Sequence, residues 1–487
     1  MTKSPRVKLL LRSLLLITWV ALLVLLLQRD FFIKKLELHE AKILKEGRQT
    51  DFLAVYFQKE RIGYVKNRLA QSPTGNDLSL FEDAVLNLNI LGETHIITMQ
   101  IEALLSPDLL LKEFNFHLVS PFYETKASGT VNGQDIRLTI VSGKETIRDT
   151  IHLKGPPFLP INQRGYLLSQ DLKEGDKLSI PYFDPISLTG KNTVIEYKGI
   201  EKVLVRGRIH TLHHFVENFV GVRINTWLDD KGKVVKEESP AGFVFLAEPE
   251  FMATDIGTGG TEILRSVSVP LTGSMPDYTD ASRITYLLTL PEGVEFSLDK
   301  DRQQFAEHLL TLNLETLDNT GATACEGLRE ELAATPYIQA QNKKISTLST
   351  AITRTESSAL GKVRALVDWV YNNLEKRPVL GIPDALTTLQ TRRGDCNEHA
   401  SLFAALARSA GIPTRVVAGV TFHEGAFFYH AWNEVCLGKG WLSLDTTKQQ
   451  MPADLTHIKF VEGEIEDMVA IGALIGKLQI EVVEVSR

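Results

Sequence analysis

The sequence predicts an α+β chain. It has one N-terminal membrane-spanning helix, a large antiparallel β-rich region and a C-terminal domain in which a buried helix packs on strands. Three observations carry this. Leu9 to Leu27 is apolar except for Arg12, Ser13 and Thr18. Between about 51 and 250 the hydrophobic pattern has period two, the signature of half-buried strands. Near residue 400, a helix-length run is apolar on nearly every side, which places a helix inside a domain.

The first segment sets the expected compartment. Nineteen residues at about 1.5 Å each reach about 28 Å, close to the hydrocarbon thickness of about 30 Å. Lys3, Arg6, Lys8 and Arg12 lie before or at its start, which keeps the N-terminus in the cytoplasm. The run ends in Leu25-Leu26-Leu27-Gln28-Arg29-Asp30 without the small residues of a cleavage site. The expectation is a signal anchor at 1–29, single-pass in a cell inner membrane, with the bulk of the chain periplasmic. Membrane attachment is through this one helix.

Composition narrows the function. The 487 residues hold 53 Lys+Arg against 60 Asp+Glu. The first 35 carry seven basic and one acidic residue, so the rest is distinctly acidic. That argues against nucleic acid as a partner, which requires a basic surface. Three cysteines are too few for a disulfide scaffold, and no CxxC pair suggests zinc. An odd count in an oxidising compartment leaves one thiol free, reactive or paired between chains. Cys325 and Cys436 could pair and leave Cys396 free, although nothing in the sequence brings them together.

Residues 30–50 are charged and read as a stalk. In 51–250, Ile136, Leu138 and Ile140 alternate with polar residues, and Ile147, Ile151 and Leu153 share a face. Asn132-Gly133 beside the first run is a hairpin signal. This region reads as an antiparallel meander. His210, His213 and His214 do not form a metal site. On a strand His213 faces away from the other two, which are themselves about 13 Å apart. Residues 251–335 read as a smaller mixed β unit. Gly257-Thr258-Gly259-Gly260 reads as a linker, because it lacks the Lys-Ser/Thr of a phosphate loop. The last domain spans 336–487. Leu360, Val363, Val367, Val370 and Leu374 recur at helical spacing, and Pro378 follows.

The chemistry concentrates in Arg393-Gly394-Asp395-Cys396-Asn397-Glu398-His399-Ala400. Asp395 is a natural N-cap, Gly411 a natural C-terminal stop, and Pro413 follows it. Cys396 then lies in the first helical turn, where unpaired amides and the helix dipole favour a thiolate. Gly394 leaves room for a substrate backbone. A thiol nucleophile needs a base, and His430 is one candidate. His399, three residues beyond Cys396, is another. With Gly438-Lys439 as a two-residue turn, Trp432 pairs with Asp445, and His430 becomes the diagonal neighbour of Asp445. A three-residue loop would turn Asp445 to the other face. Asp445 could instead cap the turn into Thr446-Thr447.

These motifs together resemble the transglutaminase-like superfamily. The likeness lies in the Gly-Asp-Cys…Glu-His-Ala helix, the Gly-Ile-Pro-x-Arg step from Gly411 to Arg415, the His-Ala-Trp strand and the Gly-Trp…Leu-Asp strand. It covers about residues 340–460. It implies a core related to the papain fold, in a bacterial membrane-anchored member. It also implies a catalytic set of Cys396, His430 and Asp445, with His399 left as part of the helix motif. The expected activity is that of a thiol hydrolase or acyltransferase acting on amide bonds through a thioester. Peptidase, deamidase and transglutaminase outcomes all stay open. The partner would be a protein or peptide substrate. No cofactor and no metal are expected. The alternative is a catalytically inactive envelope scaffold whose β domain binds a partner.

Overall fold

The computed structural model describes residues 34–35 and 49–487, apart from short stretches at 74, 122, 143–144, 160–163, 186–187, 220–221, 257–261, 292–294, 318–327, 380 and 439. The expected membrane anchor at 9–27, most of the stalk, the Gly-rich linker at 257–260 and Cys325 all lie outside the described residues.

A 15-stranded sheet takes the chain from Lys34 to Ala247. Apart from Lys34–Lys35, which pairs parallel with Lys177–Asp184, its strands follow one another antiparallel as two meanders, 49–152 and 177–247. The meanders join where Gln49–Phe57 pairs antiparallel with Phe243–Ala247. Phe158 bridges Leu110 on one side and Tyr182 on the other, so the two meanders also meet away from that seam. The alternating residues read from sequence point inward: Ile136, Leu138 and Ile140 are all buried. Rings from opposite meanders fill the core, with Phe114 and Phe183 at 4.9 Å between centroids. Gly129 is needed beside them, because a β-carbon there would stand 2.3 Å from the Phe114 ring. Each fully buried aromatic of this kind contributes about 1.5–3 kcal/mol.

Two of the three strand histidines have ordinary partners. His213 bonds Tyr197 and Asp230, while His214 stacks on Trp227 and bonds Asn225.

A second, 9-stranded sheet serves the C-terminal region. Strands at Val269–Thr272, Arg283–Thr289, Gln303–Ala306 and Leu309–Asn313 join strands from 414 onward, with the final strand Gln479–Ser486 between them. Among the described residues, four helices of seven residues or more cover this region: α1 (Lys343–Thr353), α2 (Ala359–Asn373), α3 (Ala385–Thr391) and α4 (Cys396–Ser409). They pack against β1 (Thr414–His423), β2 (Ala426–Cys436) and β3 (Trp441–Leu444). β4 (Ile458–Glu462) lies on the other side of β1.

Two expectations need correcting. The chain is mostly β rather than α+β, with 50% of residues in strands and 18% in helices. The long helices are confined to 343–409, whereas strands of up to 17 residues (Thr189–Val205) run through the rest. The membrane-spanning helix is not found either. No helix among the described residues is long and apolar enough to cross a membrane. The longest, α2, has 15 residues and buries only one face. The expected single-pass inner-membrane placement with a periplasmic bulk therefore has no membrane-crossing helix among the described residues behind it.

Candidate active site

The site begins at the start of α4. Asp395 and Glu398 close a reciprocal capping box. The Asp395 carboxylate accepts from the Asn397 amide at 3.1 Å, and Glu398 Oε2 accepts from the Asp395 amide at 3.0 Å. Gly394 makes this possible, because a β-carbon there would stand 2.3 Å from the Glu398 Cβ. Its small size thus admits the Glu398 side chain. Beyond the cap, Ala400 and Leu402 to Ala407 are all buried. The helix stops at Gly411, whose φ of +79° suits glycine.

Cys396 occupies the first helical position as a half-buried free thiol. The backbone amide of Ala431 acts on the sulfur in favour of its ionised form. Burial pushes the thiol well above its ordinary value, and the Asp395, Glu398 and Asp445 carboxyls push the same way. The Ala431 amide opposes them only in part. Burial thus favours the thiol over the thiolate that the helical position suggested. Glu398 is itself raised well above the ordinary carboxylate range by burial and by Asp395.

Strand β2 carries His430 next to Ala431. Asn433 fixes that strand against the helix, its Nδ2 donating to the Ala400 carbonyl at 3.0 Å in the buried interior. Across the hairpin, Cys436 pairs with Trp441 and Asn433 with Leu444. This is the register of a two-residue turn, so the next position, Asp445, falls opposite Trp432. His430 Nε2 lies 2.8 Å from Asp445 Oδ2. The imidazole also stacks on Trp432, with centroids 6.2 Å apart and planes 19° from parallel.

Asp445 is buried and accepts from every side. Its Oδ1 takes bonds from the Thr447 amide at 2.7 Å, the Thr447 hydroxyl at 2.6 Å and the Lys448 amide at 3.3 Å. Its Oδ2 takes His430 and, at 3.1 Å, His457 Nε2. Burial alone would raise this carboxyl, but the two histidines hold it well below the ordinary range. Asp445 thus faces His430 and caps the following turn at once.

The fold brings Cys396, His430 and Asp445 into one neighbourhood. It does not bring His399 there as a base. His399 is fully buried, and its Nδ1 donates to the Asp395 carbonyl of its own helix at 2.7 Å. Sequence reasoning missed His457 and Asp454. His457 Nδ1 lies 2.9 Å from Asp454 Oδ1. The spacing Asp454-Leu455-Thr456-His457 was the available signal.

Among the described residues, two clusters offer possible metal-ligand atoms: His430, Asp445 and His457, and Asp301, Glu434 and Glu462. In the first, both nitrogens lie at hydrogen-bonding distance from one oxygen, which calls for protons between them. In the second, Arg415 and Lys459 already neutralise the acids. Lys459 lies 2.6 Å from Asp301 and 2.9 Å from Glu434, and Arg415 lies 2.7 Å from Glu434. The Arg of the Gly-Ile-Pro-x-Arg step is therefore a structural clamp. Cys436 is in a disulfide bond. Cys325, the partner that the sequence left open, lies outside the described residues.

Residues 346–446 match the family model of the transglutaminase-like superfamily. The chain carries a transglutaminase-like domain. An uncharacterized protein of Haemophilus influenzae is 33% identical over 98 residues, which is 19% of this chain and 26% of that protein. The match thus spans about a quarter of the curated relative. Among solved structures, a chain described as a candidate cysteine protease from Cytophaga hutchinsonii is 20% identical. That match covers 41% of this chain and 83% of the other, with a TM-score of 0.29. A β-barrel-like protein of a domain of unknown function from Brucella abortus is 12% identical. It covers 41% of this chain and 95% of the other, with a TM-score of 0.32.

Proposed function

We propose that the transglutaminase-like domain is a thiol enzyme acting on amide bonds of a protein or peptide, with Cys396 as nucleophile, His430 as base and Asp445 as its orienting partner. The observation that carries this reading is the 2.8 Å bond between His430 Nε2 and a buried Asp445 carboxylate, with the free thiol of Cys396 near enough for Asp445 and the Ala431 amide to act on its ionisation. An ionised acceptor fixes the proton on Nε2 and leaves the Nδ1 lone pair to act as base. Because burial favours the thiol, the nucleophile forms during attack. The sulfur–carbon bond forms as the thiol proton passes to Nδ1. The oxyanion is received by the unpaired amide of Cys396 at the helix start. The carbon–nitrogen bond then breaks as His430 returns the proton to the leaving amine. The thioester is resolved by water or by an amine. Hydrolysis needs no second substrate site, so a peptidase-like outcome is the simpler one.

One observation favours a second reading, a binding scaffold without turnover: burial stabilises the unreactive thiol. A single experiment separates the two. The full chain is incubated with a casein digest while ammonia and new amino termini are followed. New termini indicate a peptidase, and ammonia indicates a deamidase or transglutaminase. Either must vanish in Cys396→Ser and in His430→Ala. Turnover that persists in Cys396→Ser would sink the enzyme reading.

A further inference from the structure

Two cations beside the start of α4, Lys376 and Arg392, have no carboxylate partner among the described residues. They approach the segment before Cys396 from two directions. The short strand Glu375–Lys376 runs parallel to Arg393–Gly394, which sets Lys376 opposite Gly394, two residues before Cys396. Arg392 caps the end of α3, and its carbonyl accepts from the Glu375 amide at 2.8 Å. Each cation rests on an aromatic ring of α2. The Lys376 ammonium lies 4.0 Å from the centre of the Tyr371 ring, and the Arg392 guanidinium lies 4.5 Å from that of Trp369. Such contacts hold a cation in place without neutralising it.

The acids nearby are engaged elsewhere. Glu375 lies 2.6 Å from Arg377 and 3.0 Å from Arg393. Asp368 accepts from Gln449 at 2.8 Å. Asp395 and Glu398 close the capping box, and Asp445 faces His430 and His457. Of the two cations, Arg392 is the more telling. One terminal nitrogen of its guanidinium is buried with no hydrogen-bond partner. Its φ of +57° is a left-handed conformation that a residue other than glycine adopts at a cost. A buried N–H without an acceptor calls for one, and a guanidinium fits a carboxylate with two parallel bonds. The Lys376 charge reaches α4 as well. Burial lowers His399, three residues beyond Cys396, and Lys376 adds to it.

We propose that Lys376 and Arg392 are specificity-determining residues of the active site, set to receive a carboxylate of an acidic peptide next to the amide that Cys396 attacks. The proposal rests on the triad reading above and deepens it by naming the substrate class. The rest of the chain sharpens the effect. Beyond residue 35 it is acidic overall, so an acidic peptide is repelled from most of the molecule and drawn to this one place. A neutral or basic peptide gains nothing there.

The test needs no natural substrate. Iodoacetate alkylates a thiol as iodoacetamide does, but it carries a carboxylate. The readout is the ratio of the two rates at Cys396 on the full chain, with Cys396→Ser as background. A general change in thiol reactivity cancels in that ratio. It is measured at low salt in wild type, Arg392→Gly, Lys376→Gln and the double variant. Glycine suits the left-handed backbone at 392, so the first variant leaves that turn unstrained. The ratio is expected to fall about threefold with each charge removed and about tenfold in the double variant. Salt raised to about 0.5 M should lower the wild-type ratio in the same sense, because screening acts on the charged reagent alone. Equal ratios in wild type and the double variant overturn the proposal. Should the double variant fail to fold, a wild-type ratio that ignores salt overturns it. His430→Ala examines the reading beneath. Both rates fall together there and the ratio stays. If neither rate falls, the triad reading fails instead, and the ratio still decides the role of the two cations.

Discussion

A single oxygen, Oδ2 of Asp445, accepts from two histidines, His430 at 2.8 Å and His457 at 3.1 Å. The other oxygen of the same carboxylate is held by Thr447 and Lys448. The group therefore cannot rotate without breaking several bonds, and His430 inherits that rigidity.

Replacement of that carboxylate gives the clearest prediction. Asp445→Asn keeps the shape but places an amide N–H where His430 needs an acceptor. The wrong imidazole tautomer results. Turnover, measured as product formed on a casein digest, is expected to fall by roughly 10³–10⁴, with the fold retained by circular dichroism. A loss below tenfold would show that Asp445 only caps the turn.

The ionisation of the sulfur is a second prediction. The burial around Cys396 predicts a neutral thiol at pH 7. The ultraviolet difference spectrum between wild type and Cys396→Ser is expected to show no thiolate at pH 7. The signal should grow only above the ordinary thiol value of about 8.5. A thiolate band already present at pH 6 would restore a pre-ionised nucleophile.

Acid stability follows from the two aspartates that hold His457. Asp445 and Asp454 are both held below their ordinary values in the folded protein. The folded state thus binds fewer protons than the unfolded one near the unfolded value of about 3.9. Their contribution is complete above that value and is lost as pH falls below it toward the folded values, on the order of a few kcal/mol together. Urea unfolding of wild type and Asp454→Asn at pH 7 and pH 3 measures this. The difference between the two proteins should shrink at pH 3, and an equal difference at both pH values would refute the assignment.

The large sheet contains the opposite case. Burial, with Glu237, Asp184 and Asp83 nearby, raises the Glu82 carboxyl to about 7. A raised acid supports the folded state below its unfolded value of about 4.3 and weakens it as pH rises through 7. Glu82→Gln is expected to stabilise the protein by about 2 kcal/mol at pH 8 and to change little at pH 4. Thermal unfolding at the two pH values checks the sign.

Much of the site could be read along the chain because its determinants are local. Asp395 and Gly411 bound the helix through bonds to residues within a few positions. The pairing of Cys436 with Trp441 follows from a short turn, and it alone fixes which face Asp445 takes. The strand alternation around Ile136 to Ile140 predicted burial that the large sheet delivers. His457 stayed hidden because its role depends on where a loop returns after β3, and periodicity does not encode that return. The balance acting on the sulfur is hidden from the sequence for a similar reason. The helix dipole acts locally and was visible, whereas the burial that outweighs it comes from the surrounding fold.

By itself the sequence determined the helix that carries Cys396, the hairpin that carries His430, and the order in which Asp445 follows, since each depends on caps, turns and alternation among near neighbours. Tertiary structure alone decided the predominance of β structure, the seam between 49–57 and 243–247, the burial that favours the thiol and the second histidine on Asp445. These depend on desolvation and on contacts between distant segments, and such terms arise only when the chain has closed on itself.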